Sequence, residues 1–244
     1  MTGVIGSAEV AQRVLALRRG RRPFLIGLTG AVAAGKSTLA ASLAEDFRAQ
    51  RLGVEVTASD GFLRPNAELD AAGLTRRKGY PETYDAAALA AALEAIRIGP
   101  ATFPAYSHVA YDVDPSLART LSPPDILVIE GLGLSHRTPL DLLIFLDAEE
   151  SDLEVWFVQR FLGLWRDGRH DPASFYARFA SLDEAGAVAL AQSVWSGINL
   201  PNLRENIAPL REVSDLVIHK RADHAIVSVR PGLGSRLGEP TAFR

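Results

Sequence analysis

The chain has 244 residues, 48% hydrophobic and 23% charged, an ordinary globular balance with apolar material for one substantial core. A net charge of −3 gives no basis for nucleic-acid binding, and the lack of cysteine excludes disulfides and thiolate metal sites. The longest apolar runs, such as residues 126–129 and 142–146, fall far short of the ~20 residues of a membrane span, and no basic segment leads into an apolar one at the N-terminus, so a cytoplasmic protein with no membrane contact is expected.

Val10, Val14 and Leu17 share one face of a helix predicted over residues 8–19, with Ser7 as N-cap and Gly20 just past the end. A strand over 24–29, a glycine loop and a helix over 36–50 follow, and Gly53 leads into a second strand at 54–59. Residues 61–85 form a long polar stretch with Gly, Pro and several basic residues, a length that usually carries function. Asp85 caps an Ala-rich helix ending near Gly99, and residues 100–120 read as irregular. Pro123-Pro124 introduce a buried strand at 126–129, and 142–146 is a further one. The next helix runs over 151–165, and Asp171 followed by Pro172 predicts another helix start, continuing toward Trp195. Residues 216–218 read as the last core strand, 225–229 as a short edge strand, and 231–244 as a flexible tail. Continuous apolar strands alternating with helices indicate a mostly parallel sheet covered on both faces. Residues 1–244 are expected to form one domain, with residues 1–22 its N-terminal helix.

The segment Gly30-Ala31-Val32-Ala33-Ala34-Gly35-Lys36-Ser37 fits GxxxxGK[ST], the Walker A pattern, with Thr38 next on the helix. The glycines let the backbone curl with its N–H groups inward, and the helix N-terminus adds partial positive charge. Lys36 can reach the β- and γ-phosphates of ATP and Ser37 can ligate Mg²⁺. The fold class is thus an α/β P-loop NTPase, a doubly wound sheet with helices on both faces.

Two acids fall at strand ends. Asp60 follows the second strand, where carboxyl ends face the ligand crevice, and a carboxylate there can accept a hydroxyl proton during phosphoryl transfer. Glu130 ends the strand at 126–129 and is Walker-B-like, able to hold Mg²⁺ directly or through water. Arg160, Arg166 and Arg169 lie within or just beyond the helix after the strand at 142–146, as candidates for a lid that neutralises transferring charge. Trp156, Phe157 and Phe161 on that helix fit either core packing or an apolar acceptor pocket.

Several segments carry a wider resemblance. They are Ser59-Asp60-Gly-Phe62-Leu-Arg-Pro-Asn66, Arg77-Lys78-Gly79-Tyr80-Pro-Glu-Thr-Tyr84-Asp85, and Pro104-Ala-Tyr106-Ser-His108-Val-Ala-Tyr111-Asp112. Pro124-Asp-Ile-Leu-Val-Ile-Glu130-Gly131 and Ile198-Asn199-Leu-Pro-Asn202-Leu-Arg-Glu-Asn206-Ile207 add to them. In these the sequence resembles the prokaryotic type I pantothenate kinases, over residues 24–230. That family phosphorylates the 4′-hydroxyl of pantothenate with MgATP, the first step toward coenzyme A. The resemblance implies Asp60 as base and acceptor ligand, Lys36 as the phosphate lysine, and Arg160 beside the transferring phosphate. It implies Tyr106, His108 and Asn199 around the acceptor or the inhibitor coenzyme A, Lys78 and His224 near the nucleotide or coenzyme A, Lys78, Tyr111 and Phe157 within the acceptor site, a helical lid and acceptor region, and a homodimer.

Phe157 stands where the family commonly has a Tyr that hydrogen-bonds pantothenate, a loss of ~0.5–1.5 kcal/mol. Arg169 stands near a position that is usually aromatic, and an Arg in the pocket would suit a more acidic acceptor such as a sugar acid or phosphorylated sugar. Two other readings remain open on the sequence. One is a uridine kinase- or phosphoribulokinase-like enzyme for a nucleoside or sugar derivative. The other is a non-catalytic ATP-binding regulator, which needs no acceptor base.

Overall fold

The computed structural model describes residues 3–18, 20 and 22–233. Helix α1 (Ser7–Ala16) precedes β1 (Phe24–Gly30), α2 (Lys36–Ala49) and β2 (Val54–Ala58). The middle of the chain holds α3 (Asn66–Ala71), α4 (Ala86–Ile96), β3 (Ala101–Ser107), β4 (Asp112–Leu121), β5 (Ile126–Glu130) and β6 (Leu142–Asp147). The last third holds α5 (Glu150–Gly168), α6 (Glu184–Val194), the short α7 (Leu200–Asn202) and α8 (Leu210–Val213), then β7 (Leu216–Lys220) and β8 (Ile226–Pro231).

The main sheet has six strands in the order β2-β5-β1-β6-β7-β8. All neighbours pair in parallel except β8, which runs antiparallel to β7 at the edge. Alternate residues of the central strands feed two cores. Ile26, Leu28, Val128 and Ile144 pack with α1 and α2 on one face. Leu25, Leu127, Ile129 and Leu143 pack with α4 and the β3–β4 hairpin on the other. Each of these side chains is at most 1% exposed, worth about 1.5–3 kcal/mol apiece in removed apolar surface. This is the α/β doubly wound P-loop arrangement expected from the sequence. A third, smaller cluster of Phe161, Trp165, Tyr176, Ala187 and Ala191 joins α5 to α6 as a helical arm.

The two edges of the sheet have different chemistry. At the amino edge, an aspartate before each of three strands accepts a backbone N–H from its neighbour. Asp125 takes Gly53, Asp141 takes Leu25 and Asp215 takes Leu143, each at 2.8 Å. Asp141 also meets Arg97 at 3.1 Å. These acids satisfy donors that strand pairing leaves free, so they hold the fold. The carboxyl edge instead gathers Gly30, Asp60, Glu130 and Lys220, and register places Glu130 beside both Leu28 and Ala58.

Several expectations are corrected. Helix α1 begins at Ser7 with Gly6 as N-cap and no side-chain cap bond. It ends at Ala16 with Leu17 as C-cap, short of the expected end at Arg19, which itself lies outside the described residues, as does the tail from residue 234. Residues 100–120 are not irregular: β3 and β4 pair as an antiparallel hairpin. The exposed, polar outer strand hides this, because residues 115–120 meet solvent and show no apolar alternation. Residues 61–85 contain α3 and short 3-10 turns. Asp171-Pro172 starts no α-helix; the Asp171 carboxylate accepts Ala173 N–H at 2.9 Å in a turn, and a 3-10 segment follows at Phe175–Phe179. The packing of Tyr176 and Phe179 against Phe161 overrides the local start signal. Helix α6 (Glu184–Val194) is instead capped by Asp183, whose carboxylate accepts Gly186 N–H at 2.8 Å.

Two π-helical turns, Trp195–Asn199 and Leu203–Ile207, flank Pro201. Proline has no N–H to continue the ladder, and the extra residue per turn absorbs the break. No helix among the described residues is long and apolar enough to cross a membrane.

Candidate active site

The glycine loop turns the end of β1 into the start of α2. Gly35, the residue before α2, has φ 86°, and a Cβ there would sit 2.9 Å from Lys220 Nζ. Only glycine meets both demands without strain. Lys36 is 8% exposed and donates to the carbonyls of Ala31 at 2.8 Å and Gly30 at 3.2 Å. Its ammonium therefore spans the loop from the helix side. Desolvation lowers its pKa below the ordinary lysine value, while the nearby Glu130 and Asp60 carboxylates favour the cation.

One cavity of about 1500 Å³ runs along the carboxyl edge of the sheet. Val32, Ala33, Gly35, Lys36, Ser37 and Thr38 line it. Gly30, Ala31 and Ala34 sit behind the loop and do not; the carbonyl of Ala34 is taken by Lys220 at 2.9 Å. Asp60 and Glu130 line the same cavity from β2 and β5. The Ser37 hydroxyl donates to Glu130 Oε1 at 2.8 Å. This pair of hard oxygen donors suits Mg²⁺, which keeps most of its shell for phosphate and water.

Three further elements line the cavity. The hairpin contributes Tyr106, His108 and Tyr111, with Tyr106 edge-on to both other rings. Tyr111 stacks on Phe175 at 4.1 Å, and Val109 O accepts Phe175 N–H at 2.8 Å, so the hairpin tip is tied to the helical arm. Helix α5 contributes Phe157 and Arg160. Arg160 is exposed, takes part in none of the observed hydrogen bonds or ion pairs among the described residues, and depresses the pKa of His108 after desolvation has done so. Asn199 enters from the first π-turn. At the opposite end, His224 stacks on Trp156 at 4.1 Å, beside the loop.

The cavity thus gathers the expected site residues except Gly30, Ala31 and Ala34, which back the loop, and two of the three candidate lid arginines. Arg166 and Arg169 are not among the cavity residues. Arg166 pairs with Glu184 at 2.5 Å, and the Arg169 guanidinium lies over the Trp165 ring at 4.5 Å. A lid of three arginines is therefore incorrect, and so is Arg169 as an acceptor-pocket residue.

Residues 25–170 match the phosphoribulokinase/uridine kinase family. The chain belongs to that family. It is 42% identical over 227 residues to a pantothenate kinase of Rhizobium rhizogenes, covering 86% of this chain and 69% of the relative. A pantothenate kinase of Clavibacter sepedonicus is also 42% identical, with 85% and 69% covered. A Silicibacter protein described as a fructose transport system kinase superposes with a TM-score of 0.68 at 29% identity, covering 87% of this chain and 98% of that one. As a member of this kinase family the chain is an ATP-dependent phosphotransferase acting on a hydroxyl group.

Sequence reasoning missed two residues of the cavity. Lys220 closes β7 and touches both the Ala34 carbonyl and, at 3.4 Å, His224 Nδ1. A lysine ending an apolar strand was its only signal. Tyr84 lines the cavity and donates to Asp60 Oδ1 at 3.1 Å. Trp156, read as core or pocket, is both: it is buried and forms the wall behind His224.

Lys78 gives a pH prediction. Its Nζ donates to Asn66 Oδ1 and Tyr111 O, both at 2.6 Å, and lies over the rings of Tyr106 and Tyr111. Burial lowers its pKa to about 8. The fold disfavours the charged form, so the stability cost of that charge is fully present below about 8 and relieved as pH rises toward 10.5. The ammonium's contacts with the acceptor wall are lost over the same rise. The acceptor KM is expected to climb as pH passes about 8, and Lys78→Gln is expected to remove that inflection. Initial rates across the range at saturating ATP check this; an unchanged inflection in the variant contradicts it.

Proposed function

We propose that this chain is a pantothenate kinase, transferring the γ-phosphoryl group of ATP to the 4′-hydroxyl of pantothenate as the first step toward coenzyme A. The observation that carries the reading is the convergence of Asp60, Tyr106, Phe157 and Asn199 in one cavity that also contains the phosphate loop. Relatives named pantothenate kinase at 39–42% identity support the acceptor. Arg169, the residue that favoured an acidic acceptor, stacks on Trp165 instead, so the sugar-acid alternative loses its support.

MgATP supplies the electrophilic phosphoryl group when bound. The chain's own residues do the rest. Backbone N–H groups of the loop, the Lys36 ammonium and the start of α2 receive phosphate oxygens. Ser37 and Glu130 would hold Mg²⁺, which would screen charge on the phosphate oxygens. Asp60 orients the acceptor hydroxyl and accepts its proton. Arg160, with no competing partner, offers its guanidinium to charge on the transferring group. Tyr106, His108, Tyr111, Lys78, Phe157 and Asn199 wall the acceptor and limit water. His224 on Trp156 offers a stacking face for the base of the nucleotide. Phe157 provides packing without a hydrogen bond. The reading includes one kinase domain, a cytoplasmic setting, a small-molecule acceptor with neither nucleic acid nor membrane as partner, and a homodimer.

A coupled ADP-release screen tests the acceptor. With saturating MgATP, pantothenate is expected to give a kcat/KM at least about tenfold above uridine and glycerate, the equivalent of one retained contact network of about 1.4 kcal/mol. A nucleoside or sugar derivative preferred over pantothenate overturns the assignment.

A further inference from the structure

The carboxylate of Asp60 has a hydrogen-bond partner within the fold. Segment 62–64 pairs with segment 83–85: Leu63 bridges Tyr84, Arg64 N–H donates to Thr83 O at 2.9 Å, and Asp85 N–H donates to Phe62 O at 2.8 Å. This brings the Tyr84 side chain, 5% exposed, against Asp60, where its hydroxyl donates to Oδ1 at 3.1 Å. Behind the ring lies the turn after Glu130. A Cβ on Gly133 would stand 2.6 Å from Tyr84 Cδ1, and one on Gly131 would stand 2.0 Å from Ser59 Oγ and 3.3 Å from Asp60 Oδ1. Gly133 N–H also donates to Ser59 Oγ at 3.2 Å. The turn that follows the metal-side carboxylate is therefore the seat on which the Asp60 strand end and the Tyr84 ring rest.

We infer that Tyr84 is a positioning residue for phosphoryl transfer, its hydroxyl fixing Asp60 by Oδ1 so that Oδ2 is presented to the acceptor hydroxyl, with Gly133 reserving the space its ring needs. A hydrogen bond to one carboxylate oxygen removes one rotational freedom of the base and leaves the other oxygen's lone pairs for the substrate. The burial that isolates the phenol also pushes its pKa well above the ordinary value, so it remains a donor throughout the working pH range.

This inference rests on the reading of Asp60 as the base, and the test separates the two. Tyr84→Phe removes only the hydroxyl, and Gly133→Ala displaces the ring by another route. Both are expected to lower kcat about tenfold, the scale of a hydrogen bond to a charged group, with the KM for ATP unchanged. In an Asp60→Asn background neither is expected to lower the residual rate further, because no base remains to be positioned. Thermal midpoints are measured alongside. If Tyr84→Phe shifts the midpoint but leaves kcat intact, or if its effect multiplies that of Asp60→Asn, Tyr84 is only a packed phenol and the inference fails. If Asp60→Asn itself keeps full activity, the base assignment fails and Tyr84 falls with it.

Discussion

Lys36→Ala is expected to lower kcat by at least about 10³-fold while the protein stays folded. The side chain's position explains both halves of that result. Its ammonium is 8% exposed, anchored to the Ala31 and Gly30 carbonyls, and flanked by Asp60 and Glu130. It is a fixed positive charge within the loop, in a buried setting that strengthens its action on phosphate oxygens. The stability effect has opposing parts. Alanine loses two hydrogen bonds but also removes a cation whose pKa burial has depressed, a sign that its charge is costly to the fold. The thermal midpoint is therefore expected to move by no more than about 4 °C, the scale of 1 kcal/mol in a chain of this size. Steady-state rates and a melting curve measure the two parts. Unfolding of the variant at ordinary temperature would show that Lys36 is a structural residue first.

Asp60→Asn is expected to cost about 10²–10³ in kcat with little change in the KM for ATP. Asparagine keeps the shape and an oxygen that can accept the Tyr84 hydroxyl, so the surrounding packing survives. What disappears is the second carboxylate oxygen and its negative charge. On the proposed reading the nucleotide is held by the loop between β1 and α2, so its KM is not expected to depend on Asp60. Kinetics against ATP and acceptor, varied separately, distinguish this from general damage. A rise confined to the KM for ATP would place Asp60 on the nucleotide instead.

The parts of the site that were legible in the sequence are those where chemistry is local. The loop is eight contiguous residues whose order already states their roles. Asp60 and Glu130 were legible because a strand end in a doubly wound sheet has only one crevice to face. Tyr106, His108 and Tyr111 were visible only through family resemblance, since their hairpin pairs with itself and turns a polar strand to solvent. Arg166 and Arg169 were misplaced by ignoring phase. At about 100° per residue they lie about 240° and 180° around α5 from Arg160, so neither shares its face. Tyr84 and Lys220 act on residues far away in the chain, 24 and 186 positions from their hydrogen-bond partners, a relation no local pattern encodes. The fold was read more completely, because apolar strands buried on both faces carry their own signal; what failed were the β3–β4 hairpin, whose outer strand is polar, and the turn at Asp171, where aromatic packing outweighed a capping preference.

The most direct measurement is mass spectrometry of the acceptor after incubation with γ-labelled ATP, Mg²⁺ and pantothenate. The account predicts labelled phosphopantothenate in equal amount to ADP from the unmodified chain, and almost none from Lys36→Ala or Asp60→Asn. ADP formed with label released only as inorganic phosphate, or labelled pantothenate formed equally well by Asp60→Asn, would contradict it.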